Sequence, residues 1–407
     1  MRRCAPFLFL CLCVSSLGRP LRVGVSSTSV NPKNGVCLAG YGLNRLCTGV
    51  HDDLFVKAIV FDDEENSVAL VVVDSIGIQY DTILKIRDKA RAKKNIAVLP
   101  ENIIVCSTHT HCSPDVIGIY GPNETTSGRD PEYMKMLTDA VVAQVKQACL
   151  SRKPAKIFHA QTQGGSWAVN DSEPGDTIQE VVILQCREAS GKVMATLTHF
   201  ACHPTVLDGD TTEVSSDWVG AFYKKLDKSL EGVNFYLQGG VGGWIQPETP
   251  ERTFRLAQKY GEDLSTRVLK ALIEAKEVNG TPVQFGSKVF GMPNENPKYM
   301  AMAAAGLVPR PMAETIQTEV AWFAVGDVQF ATHPGETAPQ FTRATWKLMD
   351  TGPKIVLGLG LDELGYILKS EYFDDPTAFP AGPYLTGMSP GRSAGRVMMT
   401  ALGEIIP

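Results

Sequence analysis

Two histidine clusters are the residues of this sequence best suited to chemistry. The chain has seven histidines, and four of them stand in two short segments, each at the end of an apolar run typical of a β-strand. His109 and His111 follow residues 103–106, whereas His199 and His203 end a later run. Because alternate residues of an extended segment point the same way, His109 and His111 can face one site.

Two histidine-rich strand ends suit a metal site. Neutral imidazole is the commonest nitrogen ligand, and a hydrolytic zinc typically takes about three protein ligands and leaves a position for water. Glu336, in a His-Pro-Gly-Glu segment after another apolar run, and Tyr366 supply further donor atoms. The alternative is that the histidines are ordinary hydrogen-bonded polar residues, since a pair two apart is less specific than a longer zinc motif.

A glycine-rich segment is the other candidate loop. Residues 239–243 read Gly-Gly-Val-Gly-Gly and follow an apolar run. They have neither the glycine spacing of a dinucleotide loop nor the Lys-Ser/Thr of a phosphate loop. They are therefore interpreted as a tight turn that allows a substrate to approach the backbone.

The elements that must position these side chains follow from apolar periodicity. Short apolar runs predict strands at 55–61, 68–74, 103–106, 181–186, 193–200, 234–237, 320–325, 328–332 and 354–357. Helical spacing predicts helices at 81–94, 132–150, 217–230 and 251–277. The alternation predicts an α/β fold in which mixed β-sheet layers are flanked by helices, in one large domain over residues 19–407.

Two connecting segments have their own signals. Gly326 and Asp327 separate two apolar runs, which predicts a hairpin turn. Residues 291–312 are rich in Pro, Met and Asn, which is typical of an excursion over a functional site.

The N-terminus is typical of an export signal. Two arginines follow Met1, and the apolar run at 4–17 is too short to span a bilayer. Residues 1–18 are therefore predicted to be a signal peptide, and the protein to be secreted or periplasmic; an N-terminal anchor is the alternative. No later run reaches 18 uninterrupted apolar residues, so no transmembrane segment is expected after signal removal.

The cysteines fit an exported protein only in part. Seven follow the leader, all between Cys37 and Cys202, and an odd number leaves at least one unpaired. Cys37 and Cys47 lie in a loop-rich segment and are the best candidates for a disulfide. Cys106, Cys186 and Cys202 lie in or beside apolar runs, which favours buried thiols.

The charge balance excludes one class of partner. There are 39 Lys and Arg against 44 Asp and Glu, a formal charge of −5. With no basic surplus to neutralise a phosphate backbone, nucleic acid is not an expected partner. A small-molecule or lipid substrate is implied only by the family resemblance described below, and the oligomeric state stays open.

Five ordered stretches resemble one enzyme family. Residues 107–114, Ser-Thr-His-Thr-His-Cys-Ser-Pro, are similar to the first histidine motif of the neutral/alkaline, non-lysosomal ceramidases, which are zinc-dependent amidases. The other four are Gly-Val-His-Asp-Asp-Leu at 49–54, Phe-Ala-Cys-His-Pro-Thr at 200–205, Pro-Gly-Glu at 334–336 and Gly-Tyr-Ile at 365–367. The resemblance covers roughly residues 20 to 390 and implies the catalytic fold of that family.

The resemblance also implies roles for single residues. It makes His109, His203, Glu336 and Tyr366 the zinc ligands. His111 would face the substrate as the proton carrier. Tyr384 is placed like a family tyrosine that hydrogen-bonds the scissile amide.

The sequence departs from the family at the substrate side. Where an Asn-Arg contact motif is expected, residues 168–172 read Ala-Val-Asn-Asp-Ser, with no Arg. The family's Gly-Asp-Val-Ser-Pro stretch appears as Gly-Gly-Trp-Ile-Gln-Pro at 242–247. The end of the chain at Pro407 is also expected to leave out the family's C-terminal immunoglobulin-like domain.

The combined expectation is a secreted, zinc-dependent hydrolase that cleaves an amide bond in ceramide or another N-acyl compound. The alternative is a zinc enzyme of the same fold that acts on an ester, a carbohydrate or another non-lipid bond, since fold alone does not determine function. A binding protein with a degenerate site is the non-enzymatic alternative.

Overall fold

The computed structural model describes residues 19–407, which form mixed β-sheets flanked by helices. The α/β fold predicted from the alternation of patterns is confirmed. The signal peptide predicted at 1–18 lies outside the described residues, and its boundary with the domain stays a prediction. Among residues 19–407, no helix is both long and apolar enough to cross a bilayer.

The strands are β1 (Arg22–Ser29), β2 (Gly49–Val50), β3 (Phe55–Asp62), β4 (Ser67–Val73), β5 (Ile103–Ser107), β6 (Lys153–Gln163), β7 (Ala168–Asn170), β8 (Glu180–Glu188), β9 (Val193–Phe200), β10 (Glu213–Val214), β11 (Val233–Gln238), β12 (Ile245–Pro247), β13 (Lys276–Val278), β14 (Val283–Pro293), β15 (Thr315–Val325), β16 (Val328–Thr332), β17 (Glu336–Thr337), β18 (Lys354–Leu357) and β19 (Tyr366–Ile367). The α-helices are α1 (Tyr80–Arg91), α2 (Pro131–Leu150), α3 (Trp218–Leu226), α4 (Phe254–Ala271), α5 (Pro297–Ala304), α6 (Pro339–Leu348), α7 (Gly382–Gly387) and α8 (Ala394–Gly403).

The largest sheet brings the two histidine clusters together. Its strand order is β11-β9-β8-β6-β1-β3-β4-β5, so β5 and β9 lie near opposite ends of the path. Strand β11 also contacts β4 and β5, which shows that the sheet curves back on itself. The loops after β5 and β9 consequently leave the sheet side by side.

A buried glutamine links these two loops. Gln238 is the last residue of β11, and its Nε2 donates to Thr108 O at 3.0 Å and to Cys202 O at 2.9 Å. Its Oε1 accepts from the backbone N–H of Cys202 at 3.1 Å. One side chain thus ties the segment before His109 to the segment before His203.

The remaining donors come from a smaller unit. The second large sheet has the order β14-β15-β16-β18, and β15 and β16 form the hairpin predicted at Gly326 and Asp327. The chain leaves β16 and β18 for the short parallel pair β17 and β19, in which Glu336 is the register partner of Tyr366. Residues 30 positions apart therefore face each other on adjacent strands.

Some predicted boundaries were wrong, and some strands were not predicted. The helix predicted at 251–277 ends at Ala271, because residues 276–278 pair with β6 as β13. The strands β6 and β14 expose many of their residues to solvent. A search for continuous apolar runs does not find such strands, because only part of each one is buried.

The predicted disulfide was wrong. All seven cysteines between residues 19 and 407 are free thiols. Cys37 lies opposite Leu46 in an isolated antiparallel bridge, and Cys47, the next residue, points to the other face. The prediction of inert buried thiols is confirmed for Cys106, Cys186 and Cys202, because burial raises the pKa of the first two to about 12 and that of Cys202 well above its usual range.

Candidate metal centre and its pocket

His109 is oriented by the loop after β4. Its backbone N–H donates to Ser75 O at 2.9 Å, and its φ of 71° turns the chain sharply after the strand. Its Nδ1 lies 2.5 Å from Ile76 O. Because a carbonyl oxygen only accepts, Nδ1 carries a proton, and Nε2 is the nitrogen that can bind a metal when the ring is neutral.

His203 and His111 are held in the same way. His203 Nδ1 donates to Ile245 O at 2.7 Å, and His111 Nδ1 donates to Gly40 O at 3.1 Å. Gly40 has a φ of 101°, and a Cβ there would lie 2.4 Å from the Cβ of His111, so this close approach requires glycine. In all three imidazoles a backbone carbonyl thus engages Nδ1, and Nε2 is directed to the interior of the site.

These nitrogens converge on one another and on Glu336. His111 Nε2 lies 3.3 Å from His109 Nε2, and the ligand atoms of the three histidines all lie within 4.8 Å. Glu336 Oε2 lies 2.9 Å from His203 Nε2 and 3.5 Å from His109 Nε2. Lone pairs this close repel unless a proton or a cation lies between them.

The donor set fits zinc. Tetrahedral zinc with bonds near 2.1 Å separates its ligand atoms by about 3.4 Å, and the two distances from Glu336 bracket that value. The backbone carbonyls behind His109 and His203 are the outer partners that orient metal-binding imidazoles. Burial opposes the ionisation of Glu336, but His109 and His203 outweigh it and hold the pKa of the carboxyl well below its usual range.

Tyr366 lies in the same pocket with its hydroxyl engaged. Trp244 Nε1 donates to Tyr366 Oη at 2.8 Å, and burial raises the pKa of the phenol well above its usual range. Of the four ligands implied by resemblance, His109, His203 and Glu336 converge most closely. The third histidine of the group is His111, which was expected to face the substrate rather than to bind metal.

Tyr384 stands at the pocket mouth. Its side chain is 50% exposed, and its ring centroid lies 6.2 Å from that of Tyr366 and 5.7 Å from that of Trp244. The structure thus brings Tyr384 beside the predicted site, where its hydroxyl can meet a substrate that enters.

Two other histidines belong to the core. His199 Nε2 donates to Val356 O at 2.9 Å, and burial lowers its pKa to about 4. His333, next to the glutamate motif, contacts the hydroxyls of Thr337 and Thr345 at 2.8 and 2.9 Å. Neither belongs to the group of converging histidines, so of the second cluster only His203 reaches the site.

One serine also resembles a nucleophile in sequence alone. Gly391, Ser393 and Gly395 match the Gly-x-Ser-x-Gly pattern of serine hydrolases. Ser393 precedes α8 without a preceding strand, and its Oγ donates to Glu295 Oε1 rather than to a histidine. It lacks the base that a serine nucleophile needs.

The pocket itself has an apolar wall. A pocket opens beside His109 and His111. Its apolar lining comes from several separate segments and consists of Ile76, Ile117, Ile119, Met302, Val308, Met312, Leu364 and Met388. Three of these residues belong to 291–312, so the predicted excursion over a site is confirmed.

Polar residues that sequence reasoning missed also line this pocket. Gln79 precedes α1, and Glu363 precedes β19 by three residues. Burial, then the nearby Glu336, raises the pKa of Glu363 well above its usual range. Neither residue stands in a recognisable motif, and only the folded chain brings both into the wall.

The segments that depart from the family lie together next to the site. Strands β7 and β12 pair, with Asn170 opposite Ile245, whose carbonyl orients His203. The Asn170 amide is occupied by its own loop, since its Oδ1 accepts from Ser172 and Glu173 and its Nδ2 donates to Asp176 O. Trp244, the aromatic gained in the second segment, is the residue that contacts Tyr366.

Replacing Trp244 with phenylalanine tests the role of Tyr366. The ring is kept, but the N–H that Tyr366 accepts is lost. Because such outer partners tune metal ligands, we expect about tenfold weaker zinc affinity, measured by competition with a chromophoric chelator. Trp346→Phe is the matched control, since its Nε1 is buried without a partner among the described residues. Unchanged affinity in Trp244→Phe would argue against Tyr366 as a ligand.

Known proteins share this fold and these motifs. The family profile described as neutral/alkaline non-lysosomal ceramidase, N-terminal, matches residues 22–246. The neutral ceramidase of Pseudomonas aeruginosa is 21% identical over 216 residues, which are 49% of this chain and only 32% of that protein.

Solved structures extend the likeness to nearly the whole chain. The crystal structure of neutral ceramidase from Pseudomonas aeruginosa matches with a TM-score of 0.78 and 16% identity, over 95% of this chain and 75% of that one. A structure described as a ceramidase complexed with C2 matches with a TM-score of 0.78 and 15% identity, over the same shares. At these identities the structures establish the shared fold.

Proposed function

Since the chain belongs to the neutral/alkaline non-lysosomal ceramidase family, we propose that it is a zinc-dependent hydrolase that cleaves an amide bond in ceramide or another N-acyl compound. The observation that supports this most is the convergence of three histidine Nε2 atoms and the Glu336 carboxyl group beside a pocket with an apolar wall. Donors and pocket together match metal-assisted hydrolysis of a substrate with an alkyl part.

His109, His203 and Glu336 would hold the metal, with Tyr366 as the fourth ligand. Zinc, when bound, supplies a Lewis acid for the amide carbonyl and a water whose pKa is lowered towards about 7. Gln238 keeps the two histidine loops at a constant separation. The backbone carbonyls of Ile76 and Ile245 keep the tautomers that leave each Nε2 free.

His111 and Tyr384 would manage the proton and the substrate. His111 faces the metal donors, and its Nδ1 bond to Gly40 O fixes its ring, so its Nε2 is placed to carry a proton to the leaving amine. The hydroxyl of Tyr384 at the mouth can donate to the amide and orient it. These side chains come from separate loops, as expected for a site assembled by the fold.

The lining favours an acyl or alkyl chain over a sugar. Carbohydrate sites need hydrogen-bonding groups around the whole ligand, whereas eight of the eighteen residues that line this pocket are Ile, Val, Leu or Met, which can contact an alkyl chain. Burial of each methylene of an alkyl chain stabilises binding by about 0.8 kcal/mol. The pocket therefore supports an N-acyl substrate over the non-lipid alternative.

Export is part of the proposal. It is supported by the cationic start and short apolar run of residues 1–18. Expression of the full sequence followed by mass spectrometry of the exported protein should show an N-terminus at or near residue 19. Recovery only in the membrane fraction with residue 1 intact would favour an anchor.

A substrate panel with metal control tests the reaction. Purified protein would be assayed with a fluorogenic ceramide, N-acyl amino acids, an acyl ester and a glycoside, before and after chelation and after zinc is added back. We expect amide cleavage that chelation removes and zinc restores. Cleavage that resists chelation would refute the metal mechanism, and cleavage of the ester or glycoside alone would favour the second function.

A further inference from the structure

Two buried polar side chains of the pocket have an oxygen without a hydrogen-bond partner. Gln79 is 1% exposed and Glu363 is 6% exposed, yet Gln79 Oε1 and Glu363 Oε2 contact no donor among the described residues. Both side chains line the pocket beside the metal donors. Native proteins pair nearly all such atoms, so two in one pocket indicate a missing ligand.

Glu363 is held firmly rather than loosely placed. Its Oε1 accepts from the N–H of Gly365 at 2.8 Å, and its own N–H donates to Asp362 Oδ1 at 2.8 Å. Gly77 makes room for it, since a Cβ there would come within 2.6 Å of Glu363 Cγ. The free Oε2 is therefore kept in the wall by the surrounding backbone.

Gln79 is positioned by the same aspartate. Asp362 Oδ1 accepts from the N–H of Tyr80, the residue after Gln79, at 2.9 Å. The start of α1 and the segment before β19 are thereby joined through one carboxylate. Gln79 and Glu363, which are 284 positions apart in the sequence, thus each present an oxygen without a partner to the same pocket.

The chemistry of the free atoms indicates the ligand group. The Gln79 amide oxygen accepts a hydrogen bond, whereas the free Glu363 oxygen accepts when the carboxyl group is ionised and donates when it is protonated. A neutral hydroxyl can enter an apolar pocket with little desolvation, and it satisfies an amide in either orientation because it donates and accepts.

We propose that Gln79 and Glu363 form a polar subsite that binds a hydroxyl group of the substrate within the apolar pocket. This inference rests on the proposed function and deepens it: the preferred substrate is a hydroxylated N-acyl compound. The hydroxyl belongs either to the amine half or to the acyl chain, and matched compounds distinguish these sources.

Matched substrates test the subsite. One pair is an N-acyl amino alcohol and its deoxy analogue, and the other is a 2-hydroxyacyl amide and its unsubstituted counterpart. We expect wild-type kcat/KM to favour the hydroxylated member of one pair by about tenfold or more. In Glu363→Leu and Gln79→Leu this preference should vanish, because kcat/KM falls for the hydroxylated compound and not for its partner. In Glu363→Gln the preference should largely persist.

A control and a stability measurement accompany these variants. Glu371, eight residues after Glu363, is exposed to solvent, and Glu371→Leu should keep the preference for the hydroxylated substrate. Glu363→Leu removes an unpaired buried oxygen but also the acceptor of the Gly365 N–H, so its melting temperature is measured beside that of Glu363→Gln, which keeps this acceptor and should match wild type. A preference for hydroxyl that is the same in wild type and both Leu variants, or an equal loss on both members of a pair, would overturn the subsite.

Binding separates this inference from the proposed reaction. Calorimetry with 2-hydroxydecanamide and decanamide, and with N-decanoyl ethanolamine and N-ethyl decanamide, measures recognition without turnover. If wild type cleaves no amide but binds a hydroxylated probe about tenfold more tightly, and Glu363→Leu abolishes the difference, the subsite stands while the proposed reaction fails. Equal affinity of wild type for both members of each pair would refute the subsite alone.

Discussion

Replacing His203 with alanine is expected to abolish zinc binding and to lower kcat/KM by about 10³-fold or more. The Nε2 of His203 lies 2.9 Å from Glu336 Oε2, so its loss removes one donor and leaves the carboxylate without its closest partner. Lewis-acid stabilisation of the transition state is worth several kcal/mol, which sets the size of the effect. Metal content by mass spectrometry and single-turnover kinetics would measure both quantities.

The matched control is His159→Ala. His159 lies in β6, outside the pocket, and should retain full metal content and activity. A His203→Ala protein that is folded and keeps stoichiometric zinc would contradict the assignment.

His111→Ala distinguishes the two roles open to this residue in the same experiment. If His111 carries a proton, the alanine variant should keep zinc and have a reduced kcat. If His111 is a metal ligand, the variant should lose zinc. The proposed role is contradicted by a His111→Ala protein without zinc.

Replacing Asp362 with alanine is expected to lower the free energy of unfolding by about 3–5 kcal/mol. Its carboxylate forms a buried ion pair with Arg310 at 2.5 Å, and both side chains are almost fully inaccessible to solvent. It also accepts from Thr318 Oγ1 at 2.7 Å and from the N–H of Tyr80 at 2.9 Å. Removing one partner of such a pair leaves the other charge buried and uncompensated, which is the costly case.

Chemical denaturation would measure this loss. Asp374→Ala is the control, because its ion pair with Arg392 is exposed and should contribute less than about 1 kcal/mol. The double variant Asp362→Leu with Arg310→Met should recover part of the stability, since apolar residues can replace a buried pair. A loss for Asp362→Ala no larger than that of the control would show that the pair does not hold the pocket wall together.

Asp362 also connects stability to the site. It contacts Arg310 in the segment over the pocket, the start of α1 after Gln79, and the backbone of Glu363. Variants at Asp362 should therefore change substrate affinity as well as stability, while the metal donors, which other contacts orient, stay in place.

Local signals were sufficient for much of the framework. The continuous apolar runs that predicted β4, β5 and β9 are strands buried on both faces, so their composition reports their burial directly. The hairpin at Gly326 and Asp327 is also a local property, because a two-residue turn determines how the adjoining strands pair.

Other features could not be read in this way. Strand β6 is partly exposed along its length and carries no apolar run, and β13 was included in a helix because its pairing partner lies more than 100 residues away. Cys37 and Cys47 appeared suited to a disulfide by composition, but the antiparallel register places Leu46, not Cys47, opposite Cys37.

By itself, the sequence determined the types of the metal-donor residues, their positions at strand ends and the family that the chain resembles. Histidine motifs and strand propensity are properties of short segments, so they can be recognised without the fold. Only the tertiary structure decided that His109 and His203 meet, since this depends on the curvature that brings β11 against β5 and on the Gln238 bridge. It also decided that His199 is a core residue and that Gln79 and Glu363 share one pocket. Contacts between distant segments arise from the packing of whole sheets, and no short stretch of sequence encodes them.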